Sequence, residues 1–248
     1  MPQSKTSGLL ETVRTILYAI LIALVVRTLA FEPFNIPSGS MIPTLLKGDY
    51  LFVAKYSYGY SRHSLPFGLP LIAGRILFDP PERGDVVVFK LPRDNSTDYI
   101  KRIVGLPGDR IQVREGVLYI NDEAVKRERI DDYVEPGFYG EPRRTAQYIE
   151  TLPNGKRYRV LDLGPRGQHD NTEVYVVPEG HFFAMGDNRD NSLDSRAPSS
   201  RGVGFVPAEN LVGRAEFIFF STNGSARFWE VWKWPETMRF SRFFDGIV

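Results

Sequence analysis

None of the 248 residues is cysteine, which excludes disulfides, thiolate catalysis and cysteine-based zinc sites outright. The compartment stays open, although a cysteine-free chain suits an oxidising one, where a stray thiol is a liability. An excess of charge is missing too: 31 basic against 30 acidic residues leave a net charge of +1, spread through the chain. Nucleic-acid binding needs a clustered basic face, so this balance argues against it. There is no internal repeat, no low-complexity tract and no Gly-x-Ser-x-Gly elbow. Long periodic helical patterns are absent after the first thirty residues. The length allows one substantial core, or a core with a smaller insertion.

The long apolar run that is present spans Ile16 to Val26. Extended to Phe31 it takes in Arg27 and is slightly short of the roughly 20 residues a spanning helix needs. Arg27 near one end can snorkel to headgroups, which permits a transmembrane helix. Lys5 and Arg14 precede it, and the positive-inside rule then places the N-terminus in the cytoplasm and the bulk outside. A cleavable signal peptide has the same length, with Thr28-Leu29-Ala30 as small residues for cleavage. At the other end, the run from Phe228 to Pro235 holds all three tryptophans, which suit either a membrane interface or a packed β-edge.

Eight segments read as short strands: Tyr50–Val53, Asp85–Lys90, Tyr99–Val104, Arg110–Val113, Val117–Ile120, Val174–Val177, Phe182–Met185 and Phe217–Phe220. They are β-branched or aromatic and bounded by Gly, Pro, Asp or Asn. The pattern predicts a mainly β protein with antiparallel sheets. Pro66 to Pro81 is punctuated by Gly and Pro, as an extended hairpin or loop would be. From about Ile111 to Pro178 the sequence is charge-rich and broken by Gly and Pro, and no chemistry is legible in it.

Two stretches stand out chemically, Pro37-Ser38-Gly39-Ser40-Met41-Ile42-Pro43-Thr44 and the run from Asp98 to Asp109. The first sets Ser40 on a Gly-containing turn, where Gly39 permits a sharp path and close approach of a substrate. The second sets Lys101 in a strand-like apolar run. Burial disfavours the ammonium form, and a neutral amine can take a proton from a serine hydroxyl. A turn serine and a snorkelling lysine fit the same residues. A Ser-His-Asp hydrolase could draw on His63, His169 or His181, and a non-catalytic, membrane-tethered peptide-binding β module fits the strand pattern equally. No β-lactamase-type Ser-x-x-Lys surrounds Ser40. The acidic run from Asp187 invites a calcium loop, but from Asp190 the pattern puts Ser195 at the glycine position and Arg201 at the terminal glutamate, so structural ion pairs are the better reading.

These two stretches, with Gly48-Asp49-Tyr50-Leu51-Phe52-Val53 and Lys55-Tyr56, and the run from Gly186 to Arg196, resemble in order four boxes of the type I signal peptidases. Those are membrane-anchored Ser/Lys proteases that remove signal peptides from exported preproteins. The similarity runs from about Phe31 to Trp234-Pro235. It implies a cytoplasmic N-terminus at 1–14, a retained anchor at 15–31, a catalytic domain at 32–110 (hairpin about 62–80) and 179–248, and an inserted β-rich cap at 111–178. It makes Ser40 the nucleophile and Lys101 the general base. It assigns the Ser38 hydroxyl and the Ser40 N–H to the oxyanion and gives Ser192 the part of orienting the lysine. Asp187 would pair with Arg102, while Asp194 and Arg196 brace the Ser192 loop. Phe34, Ile36, Met41, Leu45, Val88, Tyr99 and Ile100 would line shallow pockets for small side chains, with the substrate added as an extended strand. The partners implied are signal peptides and the lipid bilayer of the inner (plasma) membrane, with no metal or organic cofactor and no nucleic acid. Some family members have two spans and a cap disulfide; here there is one apolar run and no cysteine.

Overall fold

The computed structural model describes residues 5–65, 68–135, 141–164, 167–225 and 230–248. Its first element is helix α1, Lys5–Leu29. Within it Leu10–Leu29 has a mean hydropathy of 1.8 and none of that window is buried. The helix begins earlier than the apolar run because residues that form helices readily, such as Leu9, Leu10 and Glu11, extend it at little cost once it is nucleated. Arg27, expected to snorkel, is paired with Glu32 at 2.6 Å.

Sixteen strands follow in chain order among the described residues. The first eight are β1 Phe31–Asn35, β2 Asp49–Ala54, β3 Tyr60–Ser61, β4 Arg75–Ile76, β5 Val86–Lys90, β6 Asp98–Gly105, β7 Arg110–Arg114 and β8 Val117–Ile120. Then come β9 Glu123–Ala124, β10 Lys126–Glu135, β11 Arg143–Thr151, β12 Arg157–Asp162, β13 Tyr175–Val176, β14 His181–Met185, β15 Val206–Pro207 and β16 Leu211–Ser221. A seven-stranded sheet runs β1-β2-β16-β5-β6-β14-β15, beside sheets β13-β7-β8-β9, β10-β11-β12 and β3-β4. Every pairing between these strands is antiparallel among the described residues, so the mainly β, antiparallel expectation holds.

The sequence of β5 shows why this sheet sits in the interior. Its Val-Val-Val-Phe run does not alternate with polar residues because both faces are covered. Val86 and Val88 enter one core with Leu51, Val53 and Ile218, while Val87 and Phe89 enter another with Ile103 and Phe182. A third core joins Val104, Phe183 and Met185 to Ile111, Leu118 and Ile120 of the small sheet and to Tyr158 and Val160 of β12. Residues 111–178 thus share a core with β6 and β14.

All eight expected strands form. Sequence reading missed β1 and the β10-β11-β12 sheet. In β1, Pro33 would argue against a strand, but β1 is the sheet edge, where a missing N–H costs nothing. In β10 the charged residues ride on aromatic surface: the guanidinium of Arg127 lies 3.7 Å from the Tyr148 ring and that of Arg129 lies 5.4 Å from it. Pro66 falls outside the described residues; after it, β4 pairs with β3, so the short sheet there joins residues 60–61 to 75–76. Of the tryptophans, Trp229 lies outside the described residues, Trp232 is exposed, and Trp234 packs edge-on against Phe220 of β16.

Candidate active site

Ser40 lies in the turn between β1 and β2, with Met41 and Leu45 directly beneath it at 0% exposure. Those two residues belong to the core under the turn, not to a pocket wall, because the turn's Leu45 N–H to Met41 C=O bond (2.9 Å) keeps both on its inner side. The turn is tied down by Asn188, whose backbone N–H donates to the Ser40 carbonyl (3.0 Å) and whose Nδ2 donates to the Gly39 carbonyl (2.9 Å). Asn188 has no part in the sequence reading beyond its place in a matched box.

Lys101 is held on β6 opposite Val87 of β5. The β14 ladder starts only at Arg102, so on that side Asp98–Lys101 have a free edge. Lys101 Nζ lies 2.7 Å from Ser40 Oγ and donates to the Ile100 carbonyl at 2.8 Å. Its side chain is buried and makes no ion pair with a described carboxylate. Burial pushes the ammonium down to about 8 from its ordinary 10.5, with Asp194 and Asp187 pulling part of the way back. A buried amine of that kind, at hydrogen-bond distance from a hydroxyl, is a competent base near neutral pH.

Strand alternation sends Arg102 to the opposite face from Lys101. There it forks Asp187, Nε to Oδ1 at 2.9 Å and Nη2 to Oδ2 at 2.8 Å, and Thr44 Oγ1 donates to the same carboxylate at 2.5 Å. Arg196 likewise forks Asp194 (2.9 and 2.8 Å), and Asp194 also accepts the Gly186 N–H at 3.0 Å. Burial alone would raise the Asp194 carboxyl, but Arg196 and the Gly186 N–H hold it below its usual range.

Ser38 is an exposed residue whose Oγ lies 3.5 Å from Ser40 Oγ. Ser192 is brought close to the pair, but not onto the lysine: its buried Oγ lies by the Asp194 carboxylate, which it helps hold below its usual range. Gly186 makes room for it, since a Cβ there would lie 2.2 Å from Ser192 Oγ and 2.5 Å from the Ser40 carbonyl. The expected Ser192–Lys101 bond is therefore not formed, as both Nζ contacts go to Ser40 and Ile100.

The pair opens on a cleft of about 960 Å³. Phe34, Ile36, Val88, Tyr99 and Ile100 line it between β1 and β6, as do Ser38, Ser40 and Lys101. The stretch in which no chemistry was legible also reaches it, through Tyr133, Glu135, Arg143 and Thr145 of the β10–β11 hairpin and Leu161 of β12. Alternation within charge-rich strands hid that wall. None of the three histidines lines the cleft.

A buried amine, a hydroxyl within its reach and an apolar groove beside two free strand edges suit acyl transfer on an extended peptide. The family profile described as "Signal peptidase, peptidase S26" matches residues 9–220. Signal peptidase I of Rickettsia typhi is 44% identical over 93% of this chain and 90% of its own length, and that of Rickettsia prowazekii is 43% identical over the same shares. A solved signal peptidase I from Enterococcus faecalis V583 is 26% identical over 55% of this chain and 97% of its own, with a TM-score of 0.33. The profile spans most of the sequence and the relatives nearly all of it: this chain belongs to the signal peptidase I family of serine endopeptidases.

Proposed function

We propose that this chain is a membrane-anchored signal peptidase that cuts preproteins after small side chains with Ser40 as nucleophile and Lys101 as general base. The observation that carries the reading is the 2.7 Å contact between Lys101 Nζ and Ser40 Oγ at a lysine with no carboxylate partner among the described residues. Ser40 Oγ attacks the scissile carbonyl carbon while its proton passes to Lys101. The Ser40 N–H and Ser38 hydroxyl stabilise the resulting oxyanion. Collapse expels the amine of the mature chain, which takes the proton from Lys101 and leaves the signal peptide acylated on Ser40. Water then gives a proton to Lys101 and attacks the ester; the acyl–Oγ bond breaks, Ser40 Oγ takes the proton back from Lys101, and the signal peptide leaves as its carboxylate. No metal enters this scheme.

Asp187 with Arg102, and Asp194 with Arg196, act on the scaffold and do not touch substrate. Phe34, Ile36, Val88, Tyr99 and Ile100 form the apolar walls that admit small residues. The apolar window of α1, none of it buried, supports the anchor, and Lys5 and Arg14 before it support a cytoplasmic N-terminus with the sheets on the far side of the plasma membrane. Residues 111–178 form a cap that closes one wall of the cleft.

The test is cleavage of a purified preprotein in detergent by the wild type, Ser40→Ala and Lys101→Ala, with folding followed by circular dichroism. The expected result is a cut after a small residue by the wild type alone. Cleavage by a folded Lys101→Ala protein would overturn the base assignment; inactivity of the wild type would leave a peptide-binding module.

A further inference from the structure

Behind Ser40 and Lys101 lies a lattice of buried charges that the reaction above does not use in full. It comprises Arg102, Arg189 and Arg196 against Glu150, Asp187 and Asp194, with every one of these side chains at 3% exposure or less. Its member from the inserted stretch, Glu150, belongs to β11. Arg189 donates through Nη1 to Glu150 Oε1 at 2.8 Å and through Nη2 to Oε2. The Tyr158 hydroxyl of β12 donates to Glu150 Oε2 at 2.7 Å and accepts from Arg189 Nη2 at 3.2 Å. The Tyr158 ring lies under the Arg102 guanidinium at 4.2 Å, and Arg102 forks Asp187. The Arg189 carbonyl accepts from Arg196 Nη2 at 2.5 Å, and Arg196 forks Asp194. Both lines of contact therefore run from Glu150 and Arg189 to the carboxylates nearest Lys101.

We propose that Glu150 and Arg189 are positioning residues whose opposed charges keep this lattice neutral and thereby set the protonation state of Lys101. The proposal rests on the reading of Lys101 as base. Three cations balance three anions, so the amine sits beside a lattice with no net charge. Buried charges are poorly screened, and one unbalanced unit is felt well beyond contact distance. Charged and titratable groups surround Lys101 from several elements. Its own strand gives Tyr99, with the ring 5.3 Å from Nζ, and Asp98, which pairs with Lys90 at 2.8 Å. The Ser40 turn gives hydroxyls and carbonyls, and β5 gives Val86 to Val88 at that level. The 186–196 loop gives Asp187 and Asp194 with Arg189 and Arg196, and Asp190, which accepts from the Leu163 N–H at 2.6 Å. Behind them stand Glu150, Tyr158 and the Arg127–Asp162 pair from the sheet of the inserted stretch, with His169 and Asp170 beside the 186–196 loop, and Tyr133, Glu135, Arg143, Lys47 and Arg239 face the amine across the cleft.

Neutralising Glu150 leaves a net positive lattice, which disfavours the ammonium and carries the alkaline-rising limb of kcat/KM to lower pH. Neutralising Arg189 leaves a net negative lattice and carries the limb to higher pH. Each shift should be on the order of one pH unit or less. The experiment measures the pH profile of cleavage of a purified preprotein by the full chain in detergent, for wild type, Glu150→Gln, Arg189→Gln and the double variant. Circular dichroism checks folding at each pH. Opposite shifts in the two single variants, with the double variant back at the wild-type limb, would support the proposal, and a merely structural role would not produce that pattern. Shifts of the same sign, or none, in folded proteins would overturn it. Each single variant carries its own sign, so one that folds decides; if neither folds, a double variant displaced from the wild-type limb overturns the idea and one that keeps the limb supports it. A flat wild-type profile would instead overturn Lys101 as base, and this inference with it.

Discussion

Lys55 and Lys101 are equally buried, at 3% exposure each, yet their surroundings differ in one respect. Lys55, where β2 meets the end of α1, donates to Glu32 at 2.8 Å and to the Ser64 carbonyl at 2.9 Å. Lys101 has a carbonyl too, but a serine hydroxyl stands where Lys55 has a carboxylate. At the first site the Glu32 carboxyl, which burial alone would raise, is held below its usual range by Lys55 and Arg27. At the second the ammonium is pushed down to about 8. Burial is common to both, so what separates the two sites is the partner across the contact, a carboxylate at one and a hydroxyl at the other.

The largest expected effect breaks the pair directly. Lys101→Met or Ser40→Ala should lower kcat/KM on a preprotein by at least about 10⁴-fold, the scale on which one member of such a nucleophile–base unit is lost. Lys55→Met should leave the chemistry and the pH limb near 8 in place, measured on the same substrate. Loss of cleavage by a folded Lys55→Met protein would erase the distinction between the two sites.

Stability should divide the two lysines with opposite sign. Folding takes Lys101 from an ordinary 10.5 to about 8. Below pH 8 the folded state therefore carries the full cost of holding the charged amine, on the order of 3 kcal/mol; the cost shrinks as pH rises and is gone above the unfolded value. Lys101→Met should accordingly be as stable as wild type or more so at pH 7, by up to about 3 kcal/mol less the lost hydrogen bonds, and the gain should fade toward pH 10. Lys55→Met strips Glu32 of one of its two cations at a side chain 15% exposed, which should cost about 1–3 kcal/mol. Thermal melts of both variants at pH 7 and pH 10 test this. A destabilised Lys101→Met protein at pH 7 would mean that packing, not charge, governs that position.

The strands that carry this site were legible and part of its frame was not. β5 and β6 announce themselves as β-branched runs between Gly, Pro and Asp, whereas the register that sets Val87 opposite Lys101 is visible only in the folded sheet. The strands β10 to β12 do not announce themselves, because their arginines cover Tyr148 and their acids pair across strands. Such contacts turn charged residues into strand faces only after the sheet has formed. Burial of Met41 and Leu45 was hidden for a related reason: a hydrophobic residue in a turn suits a pocket and a core equally until the turn's direction is known. Asn188 was hidden by chemistry, since an amide in a loop has no spacing that says which backbone it will bind.

That last residue supplies the smallest effect and the finest test of the comparison. Lys55 meets Glu32 through a contact set by its own strand and turn, whereas Lys101 meets a serine on a loop that must be fixed from outside. Asn188 does part of the fixing through its Nδ2 bond to the Gly39 carbonyl, while its backbone N–H would survive substitution. Asn188→Ala should therefore remove one hydrogen bond worth about 1 kcal/mol and slow kcat roughly five- to tenfold. The charges around Lys101 are untouched by this change, so the pH limb should stay where it is. A shifted limb would mean that placing Ser40 and tuning the amine are not separable, and that the loop contributes to the environment that distinguishes Lys101 from Lys55.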